Sequence, residues 1–462
     1  MPSRERGHFF FMGYIQGAGR SQGTLFPVVL EDLIPTDHVC RVIDAFVEGL
    51  AMCELGFERA EAAETGRPGY DPRDLLKLYL YGYLNQIRSS RRLEAECRRN
   101  VELMWLLGRL YPDHKSIAEF RRMHREAVTA AGAELVQLAR SCGLIRGEWI
   151  AIDGTKFRAV ASADSVRERQ SLEKYLDSME KADEEQQAAI DPAAVQAALD
   201  NLKRHPEPEA GFMKVAGTIA PAYNVQTAVD TEHALIVTQQ VTTQATDNRS
   251  LLPMAEAARQ ALGEPDSVNV VADAGYSNGE QAERCEQQGI VPHVPANRAI
   301  NNQGDGSLFD RSRFHYDEKT DTFRCPNGET LVRIQLSRKD RCVMYAAEAQ
   351  ICQACSLKAE CTTASRRWIT RHLHEGALTR MHQRATPALM KLRRSTVEHP
   401  FGTLKYRIFG HPRLLLRGLN GARTEIGLAT MAYNLKRMVN LLGAQKLVQA
   451  LPKTKNFLTA ST

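Results

Sequence analysis

The segment WIAIDGTKFRAVA (149–161) marks the point where helical sequence gives way to strand-like sequence. Apolar residues alternate there with smaller or polar ones, which is the period of a half-buried strand, and Asp153 lies at its polar end. The segment VNVVADAGY (268–276) is a second short apolar run, and it also ends on an aspartate, Asp273. The chain order allows these strands to be neighbours, so we expect both carboxylates to meet at one edge of a sheet.

Further strands and helices extend this core in both directions. Helical sequence beginning at Leu251 and at Asn278 separates strand-like segments, which are YNVQTAVD (223–230), ALIVTQQVTT (234–243) and IVPHV (290–294). Strands and helices in this order predict an α/β layer with a mixed sheet. A polar segment at 164–209, with 12 acidic and six basic residues, interrupts this layer and is predicted to be a helical insertion.

The region before this core, residues 1–145, is predicted to be helical. Asp71-Pro72 supplies an N-cap and a first-turn proline, and the leucines and tyrosines that follow recur at helical spacing. Several of the later helical segments are rich in arginine, and the candidates for DNA contact are Arg91, Arg92, Arg121 and Arg122. Short helices with arginine-rich faces suit docking on DNA, although arginines that are merely solvated produce the same pattern.

The region after residue 300 has two parts and a short tail. Residues 301–385 contain hairpin-like segments with cysteines between them, which predicts a small β insertion. Residues 386–445 return to helical sequence and are assigned to the same core as residues 146–300, and 446–462 form the tail. The predicted fold class is therefore mixed, α+β or α/β, with a helical domain before an interrupted sheet.

Composition and charge limit the classes of function. A chain of 462 residues that is 43% hydrophobic and 25% charged is ordinary for a globular protein of several structural units. No apolar run approaches the roughly 20 residues that a membrane helix needs, and we expect a cytoplasmic location. Aromatic residues are only 7% of the chain, which argues against a sugar-binding cleft. Residues 366–437 hold 15 Lys or Arg against three acids, which favours a polyanionic partner such as nucleic acid.

Glu398, inside this basic region, is the candidate for a third carboxylate beside Asp153 and Asp273. Converging carboxylates repel one another and need cations, and oxygen ligands favour Mg²⁺ or Mn²⁺. Two such ions about 4 Å apart activate an attacking oxygen and stabilise a leaving oxygen at phosphorus. Taken singly, an aspartate at a strand end is more often a turn or cap residue.

Three basic residues, Lys391, Arg394 and Lys405, are spaced so that they share one helical stripe with Glu398. This arrangement would hold DNA phosphates beside the carboxylate. Alternatively, Arg394 and Glu398 are four residues apart and would form a surface salt bridge. Pro400 is expected to start or kink a helix, so the stripe holds only approximately beyond it.

The chain resembles the DDE transposases of bacterial insertion sequences in four segments that occur in that family's order: IDGTK (152–156), YNVQTAVD (223–230), VADAGY (271–276) and VEHPFGTLK (397–405). SSRRLE (89–94) and PDHKSIAEFRR (112–122) resemble its helical DNA-binding domain. The resemblance implies a ribonuclease-H-like catalytic domain that binds two Mg²⁺ or Mn²⁺ ions through Asp153, Asp273 and Glu398. It also implies cleavage and transfer of double-stranded DNA at terminal inverted repeats, by a homodimer on the DNA.

The same resemblance assigns phosphate contacts to Arg394 and Lys405, with Lys156 as a weaker candidate. Lys391 stands where the family has a tyrosine, so a DNA contact of that tyrosine is not carried over. Two other classes of function stay open. One is a zinc-containing DNA-binding regulator without catalysis, which leaves the strand-end carboxylates unexplained. The other is a metal-dependent nuclease without strand transfer.

The cysteines divide into scattered residues and one cluster. Ten cysteines without an export signal do not predict a disulfide framework. Cys352 and Cys355 form a CxxC pair, Cys361 follows six residues later, and Cys325 or Cys342 completes a set of four. Such a set is typical of structural zinc, and the turn sequence after Cys325 favours that residue. The alternative is that these are reduced cysteines in the core of a small hairpin domain.

Overall fold

The structure is a computed structural model that describes residues 29–60, 69–180, 192–204, 207, 209–296, 308–338 and 341–451. The region before the first strand is helical in the residues that the structure describes, as predicted, and its helices are α1 (Val39–Glu48), α2 (Pro72–Leu84), α3 (Ser90–Cys97), α4 (Val101–Leu106), α5 (His114–Met123) and α6 (Arg125–Ser141). The predicted start of α2 is confirmed, since Asp71 is its N-cap and accepts a hydrogen bond from the backbone N–H of Arg73. Most of α2 is buried, so it forms the centre of this helical region.

Six strands form the central sheet: β1 (Trp149–Arg158), β2 (Gly211–Val215), β3 (Thr218–Asp230), β4 (Ile236–Thr242), β5 (Val268–Val271) and β6 (Ile290–His293). Their order is β2-β3-β1-β5-β6, and β4 also pairs with β3. β1 is antiparallel to β3 and parallel to β5, and β5 is parallel to β6. The predicted mixed sheet is confirmed. β2 was not predicted, because its five residues carry no clear apolar alternation.

Helices are inserted between these strands where the sequence predicted them. The acidic segment forms α7 (Ala163–Glu180) and α8 (Pro192–Arg204), and α9 (Leu251–Ala261) and α10 (Gly279–Gln287) separate the later strands. Asn278 caps α10 by accepting hydrogen bonds from the backbone N–H groups of Glu280 and Gln281. Within the described ranges, no helix combines the length and the apolar character that crossing a bilayer requires.

The predicted β insertion is a second, five-stranded antiparallel sheet. Its elements are β7 (His315–Asp317), β8 (Thr322–Arg324), β9 (Thr330–Ser337), β10 (Cys342–Ala346), α11 (Ala349–Gln353), α12 (Lys358–Cys361) and β11 (Trp368–His372). It has its own small core around Phe314, Phe323 and Tyr345. The helix that follows, α13 (Glu375–Arg384), packs on α10, where Glu286 accepts from Arg384 at 2.6 Å.

The described part of the chain ends with the helices α14 (Pro387–Gly402), α15 (Gly418–Leu442) and α16 (Ala444–Ala450). α15 is buried along most of its length and packs against α2, α6 and β4. One hydrophobic core therefore extends from Ile34 to Leu451. The predicted boundary near residue 145 is a change of secondary structure, and the packing continues across it.

A buried ion pair lies at this junction. Arg88 Nη1 is 3.1 Å from Oε2 of Glu425, whose side chain is fully buried. Arg88 also donates to the backbone carbonyls of Phe409 and Arg413, and Glu425 accepts from the backbone N–H groups of Leu415 and Leu416. These contacts fix the loop before α15 against the N-terminal helices.

Pro400 does not start a helix, which was one of the two outcomes expected from the sequence. α14 continues through Pro400 to Gly402 and then widens into a π-helical segment, Thr403–Ile408. Proline has no N–H, so the carbonyl of Thr396 loses its helical donor, and the wider turns follow directly after this defect. The chain thus remains helical through Pro400 and changes from α-helical to π-helical turns after Gly402.

Candidate active site

Two aspartates meet because of the register between β1 and β5. Ala151 pairs with Val271, which is the last pair of this parallel ladder. Asp153 and Asp273 each lie two residues further along, so they occupy equivalent positions on adjacent chains. Asp153 is in the middle of its strand and not at the end, since β1 continues to Arg158 beside β3, and on its other side the backbone next pairs at Arg158, with Arg413. The edge of β1 beside Asp153 is therefore open.

A single cation contacts both carboxylates. Nη2 of Arg393 lies 2.6 Å from Oδ1 of Asp153 and 3.2 Å from Oδ2 of Asp273. Arg393 comes from α14, which packs against β1, β3 and β5 and buries Thr396 and Val397. Arg393 was not predicted, because two arginines are adjacent in the sequence and no local signal distinguishes them.

The carboxyl group of Asp153 is poorly placed for carrying a charge. Burial raises its pKa to about 6; Arg393 opposes this shift, and the charges of Asp273 and Asp247 add to it. The Asp153 side chain is only 19% exposed, whereas that of Asp273 is 48% exposed. The site is therefore an acidic cluster that one arginine neutralises only in part, which suits a further cation.

Asp247 is an additional acidic residue that the sequence did not reveal. It accepts hydrogen bonds from the side-chain amides of Asn224 at 2.7 Å and Gln226 at 2.6 Å, and Nζ of Lys156 lies 3.2 Å away. Both amide residues are buried on β3, opposite β1. A Cβ on Gly154 would collide with the side-chain ends of Gln226 and Asp247, so a larger residue next to the first aspartate would displace both of them.

Glu398 lies on α14, and among the described residues it does not form with Asp153 and Asp273 a group whose ligand atoms all lie within 4.8 Å of one another. Lys391, Arg394 and Glu398 are all exposed. Glu398 follows Arg393 by five positions, which places it about 140° away around the helix. In this arrangement Arg393 faces the aspartates, whereas Lys391, Arg394 and Glu398, three of the four residues of the predicted stripe, face solvent.

Lys405, in the π-helical segment, is close enough to Asp153 for their charges to interact. Burial and the neighbouring charge of Lys156 lower its pKa, and the charge of Asp153 opposes them. Lys405 is half-buried, whereas the next two residues, Tyr406 and Arg407, are exposed. The two lysines thus lie close to the acidic cluster, and Lys156 is already paired with Asp247.

The arginines predicted to contact DNA from the N-terminal helices differ in accessibility. Three of them are exposed: Arg91, Arg92 and Arg122. The prediction for Arg121 is corrected, because its side chain is buried, donates to the carbonyl of Arg88 and lies over the ring of Tyr79. A guanidinium enclosed in this way cannot reach a phosphate and instead contributes to the packing of α5 on α2.

The four cysteines predicted to bind zinc line one small cavity in the β insertion, and all are free thiols: Cys325, Cys352, Cys355 and Cys361. Burial, followed by the neighbouring thiols, raises the pKa of Cys361, and Arg367 opposes this shift. The structure thus brings the four residues into one neighbourhood.

A third group of ligating side chains, His38, Cys40 and Glu102, is explained without an ion. The possible metal-ligand atoms of these three residues all lie within 4.8 Å of one another, and no other such group is found in the described part of the chain. Nδ1 of His38 caps α1 by accepting from the backbone N–H of Cys40, and its Nε2 lies 3.5 Å from Glu102. Burial raises the pKa of Cys40 to about 12, which disfavours the thiolate that a metal needs.

Comparison with known families decides the class of the protein. A family described as "Transposase domain (DUF772)" matches residues 28–123, and a family described as "Transposase DDE domain" matches residues 200–435. The second match covers half of the chain and includes Asp273 and Glu398. The chain belongs to the DDE transposase family. The ribonuclease-H-like fold expected from the sequence is thereby confirmed.

Similarity to individual proteins is weak. The cryo-EM structure of a piggyBac transposase synaptic complex with hairpin DNA matches with a TM-score of 0.36 and 9% identity. That match covers 89% of this chain and 78% of that chain. No curated protein matches the sequence.

Membership in this family makes the protein a transposase, an enzyme that acts on DNA, and DDE transposases generally use divalent metal ions. The residues at the sheet edge fit such ions. Asp153 and Asp273 offer hard oxygen ligands, and they already converge on one positively charged nitrogen atom. Burial raises the pKa of Asp153, and a bound cation would oppose this shift as Arg393 does.

Proposed function

We propose that this transposase binds the terminal inverted repeats of an insertion sequence, cleaves DNA there and joins the new 3′ ends to target DNA. The observation that carries this proposal is the convergence of Asp153 and Asp273 on one nitrogen atom of Arg393. Carboxylates that share a cation in this way are suited to share Mg²⁺ or Mn²⁺. We assign catalysis to residues 146–300 and 386–445, and DNA binding mainly to the helices before residue 145.

The proposed chemistry is in-line displacement at phosphorus. Mg²⁺ or Mn²⁺ held by Asp153, Asp273 and Glu398 would supply Lewis-acid activation of the attacking and leaving oxygens. Water attacks the phosphodiester at the transposon end, the P–O3′ bond breaks, and the departing oxygen becomes a 3′-hydroxyl. That hydroxyl then attacks a target phosphodiester and displaces another 3′ oxygen. In each step one P–O bond replaces another, the attacking oxygen loses a proton and the leaving oxygen gains one.

Basic residues around the aspartates would position the DNA. The charge of Lys405 interacts with that of Asp153, so Lys405 is suited to bind the scissile phosphate. Lys391 and Arg394 are exposed on α14 and would contact flanking phosphates, with Lys156 as a further contact once it leaves Asp247. More distant duplex contacts are assigned to Arg91, Arg92 and Arg122. Because two transposon ends must be joined together, we propose a homodimer on the DNA.

Arg393 has a separate role in this proposal. It is the counter-cation of the aspartate pair, and it must leave when metal ions bind there. Glu398 is included as the third ligand on the family motif alone. Its offset of about 140° from Arg393 means that α14 or its side chains must reorient before Glu398 reaches the same ions.

The test is cleavage of duplex oligonucleotides that carry the DNA flanking the coding region. Asp153→Asn, Asp273→Asn and Glu398→Gln are each expected to abolish Mg²⁺- or Mn²⁺-dependent cleavage while DNA binding is retained. Asp266→Asn is the matched control. Asp266 is an exposed acidic residue that precedes β5, whereas Asp273 follows the other end of that strand. It is expected to cleave at the wild-type rate.

The outcomes separate the competing functions. Normal cleavage by Glu398→Gln would remove Glu398 from the site, and normal cleavage by either aspartate variant would refute the site as a whole. Wild-type cleavage without joined products would indicate a nuclease without strand transfer. Specific binding without cleavage would indicate a DNA-binding regulator.

A further inference from the structure

A small cavity in the β insertion is bordered by apolar side chains and by four free thiols, those of Cys325, Cys352, Cys355 and Cys361. Its volume is about 30 Å³. A space of this size holds one water molecule or one ion, and it is too small for an organic ligand.

The structure distinguishes Cys325 from Cys342, which the spacing in the sequence left open. Cys325 lies in the tight turn between β8 and β9, where its N–H donates to the carbonyl of Glu329 and its carbonyl accepts from the N–H of Gly328. This turn contributes Cys325 to the cavity lining. Cys342 lies within the ladder of β9, β10 and β11 and does not line the cavity.

The other three thiols belong to segments that have little else to hold them. α11 has five residues and α12 has four, and neither helix contains a buried residue. Helices this short are not stable in water by themselves, and the packing of these two on the small core is limited to partly buried side chains such as Cys352 and Cys361. A shared ion would cross-link Cys352, Cys355 and Cys361 to the turn that carries Cys325.

We propose that Cys325, Cys352, Cys355 and Cys361 bind one Zn²⁺ ion as a tetrathiolate site that holds the β insertion together. The four thiols release their protons on binding, so the centre carries two net negative charges. Two basic residues that also border the cavity, Lys358 and Arg367, are placed to offset them.

The sulfur atoms must move closer as the ion binds. In the described part of the chain, no three of these four thiols have sulfur atoms that all lie within 4.8 Å of one another. Four thiolates at one centre select Zn²⁺ over Mg²⁺, because sulfur is a soft ligand and tetrahedral coordination suits zinc. This site is therefore chemically distinct from the carboxylate site at the sheet edge.

The test is the metal content of the full-length protein purified from zinc-supplemented cells. We expect about one zinc ion per chain, as for other structural sites of this type. Cys325→Ser and Cys352→Ser are expected to lose most of it, and Cys342→Ser, the matched control from the same sheet, is expected to keep it. Cobalt-exchanged wild-type protein should show the intense absorption of a tetrahedral Co²⁺–thiolate centre.

A second measurement protects the test against serine variants that do not fold. Removal of zinc from the wild-type protein by a chelator should lower its thermal stability, and added zinc should restore it. The proposal would be overturned if the wild-type protein contained well under one equivalent of zinc, or if Cys342→Ser and Cys352→Ser lost zinc equally. An octahedral cobalt spectrum or a disulfide between Cys352 and Cys355 would also overturn it. Iron in place of zinc would overturn the choice of metal. None of these measurements depends on DNA cleavage, so the two proposals can fail separately.

Discussion

Replacing Arg393 by methionine removes the cation between the two aspartates and keeps a side chain of moderate length. Nη2 of Arg393 contacts Asp153 at 2.6 Å and Asp273 at 3.2 Å, and a divalent ion bound by these carboxylates must displace it. We therefore expect Arg393→Met to bind Mn²⁺ more tightly than the wild-type protein in the absence of DNA.

The size of this effect follows from the exposure of the two contacts. The pair with Asp153 is short and mostly enclosed, with side chains 13% and 19% exposed. It should contribute about 1.5 kcal/mol, at the lower end for a charged hydrogen bond. Asp273 is 48% exposed, and its longer contact should contribute only about 0.5 kcal/mol, as surface ion pairs do. In Arg393→Met the metal ion does not have to break these two contacts, which saves about 2 kcal/mol. This saving corresponds to an approximately 30-fold lower dissociation constant for the metal than in the wild-type protein.

The assay is a Mn²⁺ titration in which electron paramagnetic resonance measures the free ion. Arg394→Met is the matched control, because it removes the adjacent arginine from the exposed face of α14 and should leave Mn²⁺ affinity unchanged. Affinity in Arg393→Met equal to or weaker than in the wild-type protein would refute the reasoning, and so would an equal gain in Arg394→Met.

Three further predictions follow from burial and charge. Because burial raises the pKa of Asp153 to about 6 from its usual 3.8, ionisation of Asp153 costs stability as the pH rises through that interval. In urea unfolding without divalent ions, the free energy of unfolding of Asp153→Asn relative to that of the wild-type protein should rise by about 2 kcal/mol between pH 4.5 and 7.5. A difference between the two proteins that does not change with pH would contradict this prediction. Lys405→Ala should reduce the log–log salt slope of end-DNA binding by about 0.9, whereas Arg121→Met should lower stability and leave that slope unchanged. An unaltered slope in Lys405→Ala would exclude its phosphate contact. Glu425→Gln leaves Arg88 buried without its carboxylate and should cost about 3 kcal/mol of unfolding free energy. Wild-type stability in that variant would show that the ion pair does not hold the junction.

Local sequence was sufficient for the elements whose causes are local. Short sequence patterns predicted three features that the structure confirms. These are the helix cap at Asp71, the start of β1 at Trp149 and the insertion helix that begins at Pro192. The pairing of Asp153 with Asp273 was also foreseeable, since two apolar strands of one mixed sheet can align their polar ends. These features depend on caps, proline and apolar alternation, which act over a few residues.

Tertiary packing alone decided which charged side chains face the site. Neighbouring residues on a helix point about 100° apart, so Arg393 and Arg394 have opposite surroundings despite identical chemistry. The rotation of α14, set by burial of Thr396 against the sheet, turns Arg393 inward and leaves Glu398 outside. Tertiary packing also decides the surroundings of Arg121, in a helix, and of Asp247, in a loop. Contacts made by distant segments determine how far these side chains are buried and which partners they have. Sequence determined which residues were available for a phosphoryl-transfer site, and the packing of helices against the sheet selected among them.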